Sequence, residues 1–439
     1  MKFKLIIFSL FVFIVSSSYS QTGFYFENKS SKKVSLSFKK INNLIVIPVT
    51  INGKELSFIL DTGVNKTILF NLSSKDSISL ISAQKVSLQG LGDGKPVSAI
   101  ISENNRVNIK GLLSLDETIY VVLKDFYDLS GKMGKTIHGI IGYSVFKNFV
   151  VKINYRTNRI IFYRQNNFKY RKCRKCFSTK LSYYRRKPYL SAKIQLDTIG
   201  NSLLDVKLLI DTGGSDALWL FEHSNKKIKK PKKNFRDILG EGLSGVIYGN
   251  RGRIPAFVLG DFKIPEPTVS FLDTLSTKAS NNFNFRNGSI GAGILSRFTI
   301  WVDYANEKIT FKKNSSFRKK FHYDMSGLDV VYAGKELVRE IQNNNQEFTE
   351  KNTISFVTKY QFRFKPTYKI KSVVKNSPAD QAGLKPGDKI ISINRKAAHT
   401  YTLSDIIAKF QERDKKRIRM VIDRNGEKMK FEFRLRESV

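Results

Sequence analysis

The sequence predicts a mainly β protein made of two related lobes followed by a smaller α+β domain. Three observations predict it. The chain has 439 residues, more than one hydrophobic core serves. One set of landmarks occurs twice in the same order. After Phe311 the composition changes and a third, different pattern begins. The aromatic content of 12 %, with 33 Phe and 18 Tyr, favours strands.

Taken in order, residues 1–20 read as a signal peptide. Lys2 and Lys4 precede the apolar run Leu5 to Val15, and Ser18-Tyr19-Ser20 puts small residues before Gln21. This predicts an extracytoplasmic protein, periplasmic or secreted. No Cys follows the apolar run to carry a lipid.

The first lobe is expected over 21–165 and the second over 166–313. Phe58-Ile59-Leu60-Asp61-Thr62-Gly63 is echoed 150 positions later by Leu208-Leu209-Ile210-Asp211-Thr212-Gly213. Apolar runs follow both, Thr67 to Phe70 and Leu218 to Phe221. Next come glycine-rich turns, Gly90 to Gly94 and Leu239 to Gly242. Ile140-Ile141-Gly142 then leads to Phe149 to Tyr155, and Ile290-Gly291 leads to Phe298 to Tyr304, an offset of 149. Four landmarks at nearly constant offset mark a duplication. Short β-branched runs between Asn/Gly turns make both units β-rich.

The join around Phe168 to Lys187 is basic and holds the two cysteines, Cys173 and Cys176. Their C-x-x-C spacing suits a local disulfide or free thiols better than a redox role, and no second pair or nearby His completes a zinc site. The formal net charge is +39, from 76 Lys+Arg and 37 Asp+Glu. Such a field favours anionic partners such as cell-surface polymers, or reflects a basic solvated surface. No nucleic-acid-binding module accompanies it, so no specific nucleic acid is expected.

A hydrophobic strand running into Asp-Thr-Gly presents a carboxylate where the strand ends. The Gly allows backbone amides to approach it, and the Thr hydroxyl can reach its counterpart and lock the two turns. Two copies bring two carboxylates together, and neighbouring carboxylates share a proton. The ionised one can take a proton from water while the protonated one polarises a peptide carbonyl, giving amide hydrolysis without a covalent intermediate. A lone Asp-Thr-Gly is a common turn; the duplicated context carries the reading. The four histidines have no metal-binding spacing, and no nucleophile elbow or phosphate loop is present.

Asp61-Thr62-Gly63 and Asp211-Thr212-Gly213 resemble the active-site triads of pepsin-like and retroviral-type aspartic proteases. Ile140-Ile141-Gly142 and Ser289-Ile290-Gly291 resemble the hydrophobic-hydrophobic-Gly signature packed beneath them, with Ser289 departing from it. The resemblance implies duplicated β-barrel-like lobes, Asp61 and Asp211 as catalytic residues, and Thr62, Gly63, Thr212 and Gly213 as their support. It implies a polypeptide substrate and no metal or organic cofactor. Gly92 and Gly240 are the flap candidates. Val64 and Gly214 stand where pepsin-like enzymes carry Ser or Thr. Fewer hydrogen bonds to the ionised pair imply a pH optimum milder than pepsin's. No match to the pepsin-like flap tyrosine is found, which favours the retroviral type. A monomer is expected.

After the polar linker Asn314 to Lys320, the third domain is expected over 320–439. A polar insertion around 335–359, centred on Asn343-Asn344-Asn345, reads as loosely structured. Beyond it lie a strand at Ile370 to Val374, a short capped helix after Ser377, a turn at Lys385 to Asp388, a strand at Lys389 to Asn394 and an amphipathic helix at Ser404 to Gln411. Ser377-Pro378-Ala379, Ala382-Gly383-Leu384 and Pro386-Gly387-Asp388 resemble bacterial PDZ domains attached to envelope proteases. That implies peptide ligands added as a strand, in a groove formed by Gly327, Leu328, Asp329, Ile406 and Phe410. The alternative class is a catalytically inactive envelope protein that grips peptides with the same fold.

Overall fold

The computed structural model describes residues 23–72, 78–80, 84–88, 96–122, 129–197, 202–242, 245–272, 286–342, 348–350, 353–355 and 359–439. It is mainly β, with one large sheet in each lobe, a six-stranded sheet between them and a separate C-terminal sheet.

The duplication is visible strand by strand. In the first lobe Lys54–Leu60 runs parallel to Gly139–Ile141. Gly139–Ile141 pairs antiparallel with Thr67–Leu69, which runs parallel to Leu112–Val122. In the second lobe Leu203–Ile210, Gly288–Ile290, Leu218–Phe221 and Thr268–Leu272 repeat that order and those directions. Each lobe adds a hairpin at the sheet edge: Gln84–Leu88 with Val97–Ile109, and Asn234–Gly242 with Gly245–Arg253. Strands carrying apolar residues on both faces, such as Leu203–Ile210 ending in the buried Leu208, Leu209 and Ile210, sit centrally because both their faces are covered.

The ends of the two lobes join in the shared sheet. Phe149–Asn154 lies antiparallel to Phe298–Asp303, with Lys152 opposite Trp301. Those two positions are 149 apart, the offset of the duplication, so the pseudo-twofold axis passes through this pair. The cysteines of the join are bonded to each other as a disulfide, Cys173–Cys176, at the start of the edge strand Cys176–Lys180.

In the C-terminal domain the helices start at side-chain caps. Ser377 accepts from the Asp380 amide ahead of Pro378–Gln381, and Thr402 and Asp405 form a capping box ahead of Leu403–Phe410. Of the insertion expected to be loose over 335–359, residues 343–347, 351–352 and 356–358, with the Asn run, lie outside the described residues, and the flanks are corrected to strand. Leu328–Gln342 and Lys359–Val373 form one long antiparallel ribbon, paired from Lys335 with Pro366 out to Gln342 with Lys359. The reason is period-two patterning on both strands. Leu337 faces Phe364 and Arg339 faces Phe362 across the ladder, pairs that stabilise a sheet. Leu337, Phe362 and Phe364 remain exposed.

The C-terminal domain touches both lobes. On the second lobe, Arg253 donates to the carbonyls of Phe321 and Val439 at 3.0 and 3.1 Å, and Phe235 packs on Tyr323. On the first, the short helix Leu129–Met133 packs against Leu328–Gln342 and Leu403–Phe410.

Candidate active site

Asp61 and Asp211 end equivalent central strands, and the structure brings them together. The Asp61 amide donates to the Ile141 carbonyl at 2.9 Å, and the Asp211 amide to the Ile290 carbonyl at 3.0 Å. The hydrophobic-hydrophobic-Gly segments thus hold each aspartate from beneath. The following glycines are needed for close backbone approach. A Cβ on Gly142 would lie 2.2 Å from the Asp61 carbonyl oxygen, and one on Gly291 2.3 Å from that of Asp216.

The two threonines lock the turns reciprocally. The Thr62 amide donates to Thr212 Oγ1 at 3.0 Å, and the Thr212 amide to Thr62 Oγ1 at 3.1 Å. Thr62 Oγ1 then donates to the Ile210 carbonyl at 2.7 Å, and Thr212 Oγ1 to the Leu60 carbonyl at 2.9 Å. Both residues are fully buried. Each hydroxyl uses its donor and an acceptor lone pair, so no polar group of the lock is left unpaired.

The carboxyl groups sit against backbone that only glycine allows. The Gly63 amide donates to Asp61 Oδ1 at 2.6 Å. A Cβ on Gly213 would lie 2.3 Å from Asp61 Cγ, and one on Gly63 3.2 Å from Asp211 Cγ. Burial first, then the neighbouring Asp211, pushes the Asp61 carboxyl up to about 8, while the Gly63 amide and the Lys187 charge pull it down. The neighbouring Asp211 carboxyl thus disfavours a charge on Asp61.

Several residues around the pair were not singled out in the sequence. Lys187 follows the turn Arg185-Arg186, both of positive φ, and its charge acts on both aspartates. Asn65 donates to the Arg185 carbonyl at 3.0 Å, tying that turn to the opposite lobe. Asn43, in the equivalent turn of the first lobe, donates to the Ser215 carbonyl at 3.4 Å. Behind Asp211, the buried Arg286 donates to the Gly288 carbonyl at 3.0 Å. Arg251 bridges Asp216 and Asp237 at 3.2 and 2.8 Å, fastening the second-lobe hairpin beside the Asp211 turn. The signal that would have found the two turns is their shared place ahead of each long strand, Leu44–Ile51 and Lys187–Gln195.

Of the flap candidates, Gly240 lies in the hairpin strand Asn234–Gly242, where a Cβ would meet the Trp219 ring at 3.8 Å. Gly92 lies outside the described residues. Of the groove residues, Ile406 and Phe410 are fully buried and Leu328 is 6 % exposed, so all three serve the domain core. Gly327, at φ +80, donates its amide to Asp324, and Asp329 pairs with Ser372 in the ladder that begins at Leu328 and Val373.

Residues 47–145 match the aspartyl protease family, and residues 369–424 match the PDZ domain family. No curated protein matches the chain. The chain therefore carries an aspartyl protease domain and a C-terminal PDZ domain. The protease match covers the first lobe's Asp61 and Ile140-Ile141-Gly142. The second lobe enters through the internal duplication.

Proposed function

We propose that the protein is an aspartic endopeptidase that hydrolyses peptide bonds with Asp61, Asp211 and an activated water. The observation that supports this reading is the reciprocal threonine lock between the two Asp-Thr-Gly turns, each of which carries an equivalent aspartate. In this reading the protonated member of the pair donates to the scissile carbonyl oxygen. The ionised partner takes a proton from the attacking water, forming a tetrahedral diol. The carboxyl that took the water proton then gives it to the amide nitrogen while the other carboxylate takes a proton back from a diol hydroxyl, and the C–N bond breaks to leave acid, amine and the original pair. The PDZ domain supplies peptide binding, and a signal-directed extracytoplasmic location gives access to unfolded polypeptides.

The pH–rate profile tests this reading. Burial and the neighbouring Asp211 push the Asp61 carboxyl up to about 8, so kcat/KM is expected to fall above that value. The maximum should lie in mildly acidic to neutral solution. A profile peaking below about pH 3 would contradict it. Lys187 pulls the pair's affinity for protons down, so Lys187→Met should move the alkaline limb to higher pH. An unmoved limb would place that charge out of reach of the pair.

A further inference from the structure

The PDZ groove lies between the free edge of Leu328–Gln342, the outermost strand of its sheet, and the helix Leu403–Phe410. An extended ligand enters such a groove by pairing with the strand edge. In this protein the space already holds a part of the first lobe. The helix Leu129–Met133 lies against both walls. Gly134, at φ +63, follows it so closely that a Cβ there would stand 3.1 Å from Leu403 Cβ. A chain of hydrogen bonds fixes it: Ser404 Oγ donates to Asn42 Oδ1 at 3.2 Å, and Asn42 Nδ2 donates to the Lys132 carbonyl at 2.7 Å. Met133 is buried.

The loop at the head of the groove is likewise engaged from within. The amides of Ser326 and Gly327 donate to the Asp324 carboxyl at 2.8 and 2.9 Å, and the Leu328 amide donates to Ser326 Oγ at 3.0 Å. Amides that would receive a ligand's terminal carboxylate therefore already have acceptors.

The occupant leads directly to the catalytic pair. Four residues separate Gly134 from Gly139–Ile141, the strand parallel to the Asp61 strand. Between them Ile137 is fully buried and the His138 amide donates to Ser57. Ile141 then holds the Asp61 amide.

We propose that the PDZ groove is a receptor for the first lobe's own Leu129–Gly134 segment, that a peptide ligand enters only by displacing it, and that docking braces the strand behind Asp61. The PDZ domain is then a clamp whose release by a ligand slackens the active site. Only the bracing part rests on the protease reading.

The full chain carrying Gly134→Cys and Leu403→Cys tests the docking. The native cysteines are already bonded to each other, and the 3.1 Å Cβ separation falls only a few tenths of an ångström short of the roughly 3.5–4.5 Å a disulfide takes, so a small outward shift admits the bond. It should form in air at least tenfold faster than in a control pairing Gly134→Cys with Gly426→Cys, since nothing approaches Gly426 within 4 Å. Equal rates would overturn the docking, whatever the enzyme does. A fluorescein-labelled peptide of residues 129–137 should bind the reduced double variant at least tenfold more tightly than the oxidised one, and equal binding would show that the groove is not its site. For the bracing, Gly134→Asn keeps the left-handed turn while pushing against Leu403. It should lower kcat at least threefold, with the oxidised double variant at least as active as the reduced one. Parental kcat in Gly134→Asn would confine the clamp to a structural role.

Discussion

Asp61→Asn and Asp211→Asn are each expected to lower kcat by about a thousandfold or more, with little change in KM, because each change removes acid–base transfer made in the transition state. The effects should be similar in size, since each residue is held by the same lock and neither can share a proton with an amide. Both variants should fold. An Asn oxygen at position 61 can accept from the Gly63 amide as the carboxylate does. The same substitution should raise stability near neutral pH. Asp61 titrates near 8 in the folded chain against 3.8 for an unperturbed carboxyl, so the folded state holds a proton that the unfolded state has released. Its contribution to stability is greatest below the unfolded value and declines as pH rises towards 8. Thermal unfolding at pH 4 and pH 7 checks the sign: Asp61→Asn should gain over the parent at the higher pH and lose that gain at the lower.

The second large effect belongs to Gly213. An alanine methyl there would stand 2.3 Å from Asp61 Cγ, well inside van der Waals contact, and the far side of the carboxyl is held by the Gly63 amide. The carboxyl must move, and a displacement near 1 Å costs about a hundredfold in rate. Gly213→Ala should therefore lose at least that much of kcat. Gly63→Ala meets Asp211 Cγ at the looser 3.2 Å and should be several-fold milder. Equal losses in the two variants would show that the turns relax alike and that this asymmetry has no catalytic weight.

The candidate site was legible because its chemistry is local and occurs twice. An apolar strand ending in Asp-Thr-Gly determines its own turn, and the 150-residue repeat says that a second turn faces it. The cross-lobe threonine bonds follow once the hydroxyls are known to meet. What was not legible depends on long-range packing. Lys187 sits after a turn like any basic surface residue, yet the fold directs its charge at the aspartates. Asp216 and Arg251 are 35 positions apart and become partners only through the sheet.

The ribbon from Leu328 to Val373 misled for a different reason. In sequence the Asn run and high charge between its strands read as an insertion without a core, and the alternation that builds the ladder is split between two strands. Similarly, Ile406 and Phe410 carry helical periodicity that marks an apolar face, but periodicity does not distinguish a groove wall from the core beneath it. That the groove is filled by Leu129–Gly134 lay beyond any local pattern, since its walls begin at Leu328 and Leu403, far along the chain from Gly134.

The most direct measurement is the rate at which the full chain, Asp61→Asn, Asp211→Asn and the double variant cleave one unfolded protein at about pH 6, a value between the limbs expected of a carboxyl pair. If the two aspartates act as one proton-sharing unit, each single variant will be nearly as inactive as the double, because losing either member removes the whole device. Independent, multiplying losses, or substantial activity surviving in either single variant, would contradict a shared dyad.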